Sequence, residues 1–199
     1  MQPIAAPVPS PPPYENLPRY RSEFLARSED GWTRLEQAFG RRFGWMAAGS
    51  HSGFNAPRAH LARFLRANRA RLFSEVTGPH GNPATTLNAL KDRRVELVAL
   101  DGFYLDLLRR HEPHQLEGLR TLATTDWMPI PLLVAAHEID RGIVGRLRDH
   151  LVAIHGDSRY TPLLEATLLR QFALPDAVSY GVCNAVEEEA VAAGYTEIR

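Results

Sequence analysis

The sequence holds one cysteine in 199 residues, Cys183, so no internal disulfide can staple the fold. Cys183 lies in a stretch of helical periodicity that would bury it as a small hydrophobe. Neither sign of charge is in excess: 23 basic side chains stand against 23 acidic ones, which gives a polyanion such as nucleic acid nothing to seek. Any anion must be met locally. No window approaches the roughly 20 consecutive apolar residues of a membrane span, so no direct membrane insertion is expected. Met1 to Pro13 shows neither a basic n-region nor a continuous apolar h-region, so no export signal is read there. What is present, 44% apolar and 23% charged residues, is the composition of a globular protein with length for one or two compact units.

Proline is plentiful but unevenly spread. Pro3, Pro7, Pro9, Pro11, Pro12, Pro13 and Pro18 crowd the start, where fixed φ angles and missing donors favour extended chain. Residues 1–19 are therefore expected to be a proline-rich tail or linker. Residues 20–41 read as a strand, Arg21 to Ala26, and a short helix carrying Trp32, Leu35 and Phe39 and stopped by Gly40.

Strand and helix then alternate. Phe43 to Ala47 is a short apolar run, followed by a glycine and serine loop and a helix that starts near Pro57, where a missing N–H costs nothing. Leu72 to Thr77 reads as the next strand, and Asn82-Pro83 as cap and first turn of a helix ending near Asp92. Val95 to Leu100 is a buried strand with Asp101 at its carboxyl end, before a helix from Gly102 to Arg110. Strands at Leu119 to Ala123 and Leu132 to Ala136 complete a βαβ pattern that implies a largely parallel sheet. Asp140 to Tyr195 reads as helical, with amphipathic stretches at Ile143 to Ile154, Pro162 to Phe172 and Val178 to Ala193.

In an open α/β sheet, ligands bind where strand carboxyl ends pass into helix N-termini. Three loops qualify. The first, Gly49-Ser50-His51-Ser52-Gly53, offers two hydroxyls, close backbone approach and the free N–H groups and positive dipole end of the helix behind it. The second contains Thr77-Gly78-Pro79-His80, and the third begins at Asp101, whose carboxylate can accept from a protonated ligand oxygen or amino group. Taken singly, each is ordinary turn and cap chemistry. Their common position on successive strands carries the reading of a small anion site.

Ser52-Gly53 with Ala56-Pro57-Arg58, then Thr77-Gly78-Pro79-His80, then Val98-Ala99-Leu100-Asp101, then Leu122-Ala123-Thr124-Thr125-Asp126-Trp127-Met128-Pro129-Ile130-Pro131, together resemble the phosphate/phosphite/phosphonate-binding proteins of ABC transporters. The resemblance runs from about Tyr20 to Tyr195. It implies the two-lobed type 2 periplasmic-binding fold and a solute-binding role beside a transporter permease. Ser50, Ser52 and the N–H groups after Gly53 would grip the oxyanion, with His51, Thr77, His80 and Asp101 in the same cleft. It also implies an α/β class with one complete α/β lobe, residues 42–130, entered through the inter-lobe crossing of residues 20–41. The return strand and mainly helical remainder of the other lobe would occupy residues 131–199. The family's N-terminal section and signal peptide have no counterpart before Tyr20, so a truncated form is expected, with apolar surface left to self-associate. Family resemblance implies a periplasmic protein; the chain as written, without a signal, implies a cytoplasmic one.

Other chemistries fit less well. His111 and His114 flank Pro113 and, with His137, reach no recognised metal-ligand spacing, so neither metal nor cofactor is expected. Gly49 and Gly53 flank His51 where a nucleophile elbow needs serine, which leaves a hydrolase as a minor alternative. A small-anion sensor or interaction domain of the same fold is the other.

Overall fold

The computed structural model describes residues 1–65 and 71–199, which fall into two compact units. The smaller is Met1–Tyr20 with Trp127–Gly181, and the larger is Arg21–Asp126 with Val182–Arg199. The chain opens in the smaller unit with β1 (Gln2–Pro9) and β2 (Arg19–Tyr20). It continues in the larger with β3 (Ser22–Arg27), β4 (Arg42–Gly44), α1 (Ala56–Ala62), β5 (Glu75–Thr77), α2 (Pro83–Lys91), β6 (Leu97–Asp101), α3 (Gly102–His111) and β7 (Leu119–Thr124). The smaller unit resumes with β8 (Met128–Pro129), β9 (Leu133–Ala135), α4 (Arg141–Ala153), α5 (Thr161–Ala166) and β10 (Leu169–Ala173). Helix α6 (Gly181–Ala192) leads back into the larger unit.

The larger unit is built on a five-stranded sheet in the order β5-β4-β6-β3-β7. Strands β5, β4 and β6 are parallel, as the alternation of strand and helix predicts, while β3 runs antiparallel to both β6 and β7. Alternation of side chains sends Phe24, Ala26, Leu97 and Ala99 into one core beside Phe43, and Leu25, Val98 and Leu100 into another on the opposite face. Helices cover both faces, so both sets are buried. Asn82 caps α2 by accepting from Thr85 N at 2.9 Å, with Pro83 in the first turn, as its sequence predicts.

Residues 1–19 are not a tail. Strand β1 is the central strand of a three-stranded antiparallel sheet, β10-β1-β9, and Ile4, Ala5, Ala6 and Val8 are buried. The prolines are compatible with this because Pro3, Pro7 and Pro9 fall on alternate positions. Ile4, Ala6 and Val8 keep their donors, and the register shifts at Pro3/Ala5 and Val8/Pro9, where the ladder loses its donors.

The C-terminal third also departs from the helical expectation. Helix α5 stops at Ala166, Leu168 takes a left-handed φ of 52°, and the remaining residues of that apparent amphipathic stretch pair with β1 as β10. The final residues do not stay with residues 131–180. Tyr195 and Ile198 are buried in the larger unit's core with Phe24 and Phe43.

Candidate functional site

Parallel β4, β5 and β6 end at one edge of the larger sheet, and the antiparallel pairing of β3 brings Ser22 to Asp101 at that same edge. Of the seven residues expected to meet an anion, Ser50, His51, Ser52, Gly53 and His80 stand on the connections that leave it, and Thr77 and Asp101 are the last residues of β5 and β6.

After β4 the chain turns at Ser50 and enters a π-type turn, His51–Asn55, continuous with α1, so that residues 51–62 form one helical run. Such single π turns recur at functional sites. Ser50 Oγ accepts from Gly53 N at 2.9 Å, and Asn55 N donates to Ser50 O at 3.0 Å. Helical geometry turns the leading N–H groups of Ser52 and Phe54 toward the start of the run, and the Ser50 hydroxyl carries its own proton to donate. Gly53 is buried. A Cβ there would stand 2.6 Å from Met46 Cβ, so only glycine lets the turn lie this close to the preceding segment.

The second loop is strapped to the first. Trp45 N donates to Thr77 O at 3.0 Å, His80 N to Trp45 O at 3.1 Å, Gly81 N to Met46 O at 2.8 Å, and Met46 N to Gly53 O at 3.2 Å. Thr77 Oγ1 and His80 Nε2 lie 3.3 Å apart. Burial, with Arg94 adding repulsion, holds His80 below the ordinary histidine pKa. Burial also lowers His51, whose Nδ1 lies 3.3 Å from Asn55 Nδ2, and Glu187 partly offsets this. Both imidazoles are therefore neutral hydrogen-bonding groups near pH 7.

Asp101 caps α3: Oδ1 accepts from Phe103 N at 2.8 Å and Tyr104 N at 3.2 Å. Burial nevertheless pushes its carboxyl up to about 6, against the pull of those two backbone bonds. Both of these cap bonds fall on Oδ1 of Asp101.

Four residues that the sequence did not single out hold these loops. Ser22, buried at the start of β3, donates through Oγ to Ser52 O at 2.8 Å and through N to Thr125 Oγ1 at 2.9 Å. Asn55 donates to Cys183 O at 3.3 Å and accepts from Arg58 at 2.9 Å. Arg58 is almost wholly buried, its guanidinium donating to Thr196 O at 2.8 Å and lying 3.8 Å from Glu187. A recess of about 500 Å³ opens beside the loop, lined among others by Ser50, His51, Asn55, Arg58, Cys183 and Glu187. Cys183 is half-buried there rather than lost in the core. No helix among the described residues is long and apolar enough to cross a membrane, and no three potential metal ligands gather among them.

The fold is that of the type 2 periplasmic-binding proteins. A binding protein component of an ABC phosphonate transporter from Pseudomonas aeruginosa superposes with a TM-score of 0.81 at 16% identity, over 96% of this chain and 63% of that one. PhnD1 from Prochlorococcus marinus, solved with methylphosphonate, gives 0.74 at 13% identity over 94% of this chain and 72% of its own. XAC2383 from Xanthomonas citri, solved with ATP, gives 0.66 at 18% identity over 98% and 73%. No curated protein matches the chain. The family model for the ABC transporter phosphonate periplasmic substrate-binding protein matches residues 1–180, and the chain belongs to that family. Its members are substrate-binding proteins of transporters, not enzymes.

Proposed function

We propose that this chain binds and releases a small phosphorus oxyanion, of the phosphate, phosphite or phosphonate type, on the loop Ser50 to Gly53, and performs no chemistry on it. The observation that carries this reading is the helical run of residues 51–62, which begins at that loop and so points the positive end of its dipole there. The Ser50 and Ser52 hydroxyls add donors, Thr77 and His80 line the adjoining loop, and Asp101 accepts from a ligand oxygen that keeps its proton. Ligand charge is met by dipoles and neutral donors, which suits release as well as capture. In this reading the protein works in the periplasm and passes its ligand to an ABC transporter permease.

Titration calorimetry with methylphosphonate, phosphite and phosphate tests it. Ser52 makes its recorded contact through its carbonyl, so Ser52→Ala leaves the loop's internal bonds in place. It should weaken anion binding by about 1.5–3 kcal/mol, the range for a hydrogen bond to a charged group. Unchanged affinity would remove Ser52 from the site.

The reading includes association with a second copy. Strand β9 is an edge strand whose Leu133 and Val134 are exposed, and antiparallel pairing with the same edge of another copy closes a two-fold contact.

A further inference from the structure

The chain passes between the two units three times, at Tyr20/Arg21, Asp126/Trp127 and Gly181/Val182. Within the larger unit, a residue one or two positions from each passage is bonded, directly or through one intermediary, to the loop that follows β4. Ser22, beside the first, donates to Ser52 O at 2.8 Å. Thr125, beside the second, accepts from Ser22 N and returns a bond from its own N to Ser22 O, both at 2.9 Å. Cys183, beside the third, accepts at 3.3 Å from Asn55, the last residue of the π-type turn. Ser22 and Thr125 are buried, and an interior location makes such bonds expensive to leave unmade.

The other side of each passage is tied as well. Within the smaller unit, Ile130 N donates to Pro18 O at 3.0 Å and Tyr180 Oη donates to Ile130 O at 2.6 Å, so one residue joins all three segments. Arg19 and Tyr20 pair with Met128 and Pro129 as β2 and β8. In the larger unit the first two segments are joined directly by Ser22 and Thr125, and the bonds Ser22 Oγ to Ser52 O and Asn55 to Cys183 O reach the candidate ligand loop and its turn.

We infer that Ser22 and Asn55 are positioning residues that couple the Ser50–Gly53 loop to the three segments by which the chain leaves the larger unit. Loop order and segment order then rise and fall together. An anion seated at the start of the helical run holds the turn in its hydrogen-bonded form, and Ser52 O and Asn55 Nδ2 carry that constraint to residues 22, 125 and 183. The ligand part of this inference rests on the oxyanion reading of the loop; the coupling itself does not.

The test is hydrogen exchange on the whole chain. Ser22→Ala cuts the first link, and Asn55→Asp cuts the link to Cys183 O while keeping an acceptor for Arg58. If the loop couples the segments, each cut is felt at the far one. Ser22→Ala raises exchange at residues 182–184, and Asn55→Asp raises it at 20–22 and 124–126, each by about fivefold, the factor one net hydrogen bond is worth. Effects confined to the neighbourhood of each cut overturn the inference, because a merely local structural role would produce only those. In the second arm, saturating methylphosphonate slows exchange at all three segments of the unsubstituted protein. The slowing disappears at 20–22 and 124–126 in Ser22→Ala and at 182–184 in Asn55→Asp, and an identical response in both variants counts against coupling. Failure of methylphosphonate, phosphite and phosphate to bind in calorimetry would remove the oxyanion reading, while the ligand-free arm still decides the coupling.

Discussion

The larger unit sandwiches its sheet between two apolar clusters, one around Phe24, Phe43 and Leu97 and one around Leu25, Val98 and Leu100. The smaller unit has a cluster of Ile4, Ala5 and Val144, with Leu151 and Phe172 only partly covered, and also buries Val8, Tyr14, Tyr20, Met128, Ile130 and Leu164. Exposed apolar side chains divide the same way. Leu133, Val134, Ile143, Leu147, Leu163 and Val178 are exposed in the smaller unit, against Val182 and Val191 in the larger. Burial at roughly 25 cal/mol per Å² is what offsets chain entropy, and the larger unit, with a buried cluster on each face of its sheet, also holds the candidate site. A binding edge needs rigid strands beneath its loops, and β4, β5 and β6 supply them.

Removing that core should separate the units most sharply. Phe43→Ala empties a fully buried site between β4 and its neighbours and should cost about 3–5 kcal/mol. Followed in denaturant by tryptophan fluorescence, Trp32 and Trp45 report on the larger unit and Trp127 on the smaller. The loss should appear in the transition reported by Trp32 and Trp45. An equal shift in the Trp127 signal would make the two units one cooperative block and break the comparison.

Two glycines sharpen it with opposite signs. Gly53→Ala brings a Cβ against Met46 Cβ, backbone-anchored on both sides, and should destabilise the larger unit by about 1–3 kcal/mol and weaken anion binding with it. Gly145, inside α4 with open space around it, should tolerate alanine and stabilise the smaller unit by about 0.5–1 kcal/mol. Thermal unfolding and calorimetry of the two variants check both.

Much of the larger unit is legible in the sequence because its signals are local. The Asn82-Pro83 cap, the buried run ending at Asp101 and the turn chemistry around Ser50 all act within a few residues. Strand β1 is not legible because composition counts prolines without their parity, and its burial depends on β9 and β10, more than 120 residues further along the chain. Strand β10 hides in a helical period that Leu168 interrupts with a backbone conformation no pattern announces. Gly53 and Asp101 could be picked out as candidates from their local turn and cap chemistry, whereas Ser22, Asn55, Arg58 and Thr125 could not. Their roles exist only through bonds to Ser52, Cys183, Thr196 and Ser22, and three of these four pairs join segments more than 100 residues apart.

A titration distinguishes the units by pH. Burial raises Asp101 to about 6 from an ordinary 3.8, so between those values the folded chain holds a proton that the unfolded chain has released. Its stabilising contribution is complete below about 3.8 and is lost as pH rises through about 6. The larger unit should therefore gain stability from pH 7 to pH 5 through this group. Asp101→Asn keeps an N-cap acceptor for α3 and should remove that part of the slope, measured by denaturant titration at each pH. An unchanged slope would place the charged carboxylate in water rather than in the buried edge.

The smallest stability effect belongs to the surface of the smaller unit. Ile143 and Leu147 lie one turn apart on the exposed side of α4, and glutamate at both should change unfolding free energy by no more than about 0.5 kcal/mol per site, since neither fills a core. Association is a different quantity, because a second copy can bury what this fold leaves in water. Sedimentation at micromolar concentration should show self-association of the unsubstituted chain, weakened in the double variant while anion affinity stays the same. A monomer in both cases removes the second copy and leaves the exposed side chains of α4 and β9 as plain surface. Loss of anion binding in the double variant would instead tie the smaller unit's apolar face to the loop at Ser50, and the division of labour between the two units would have to be redrawn.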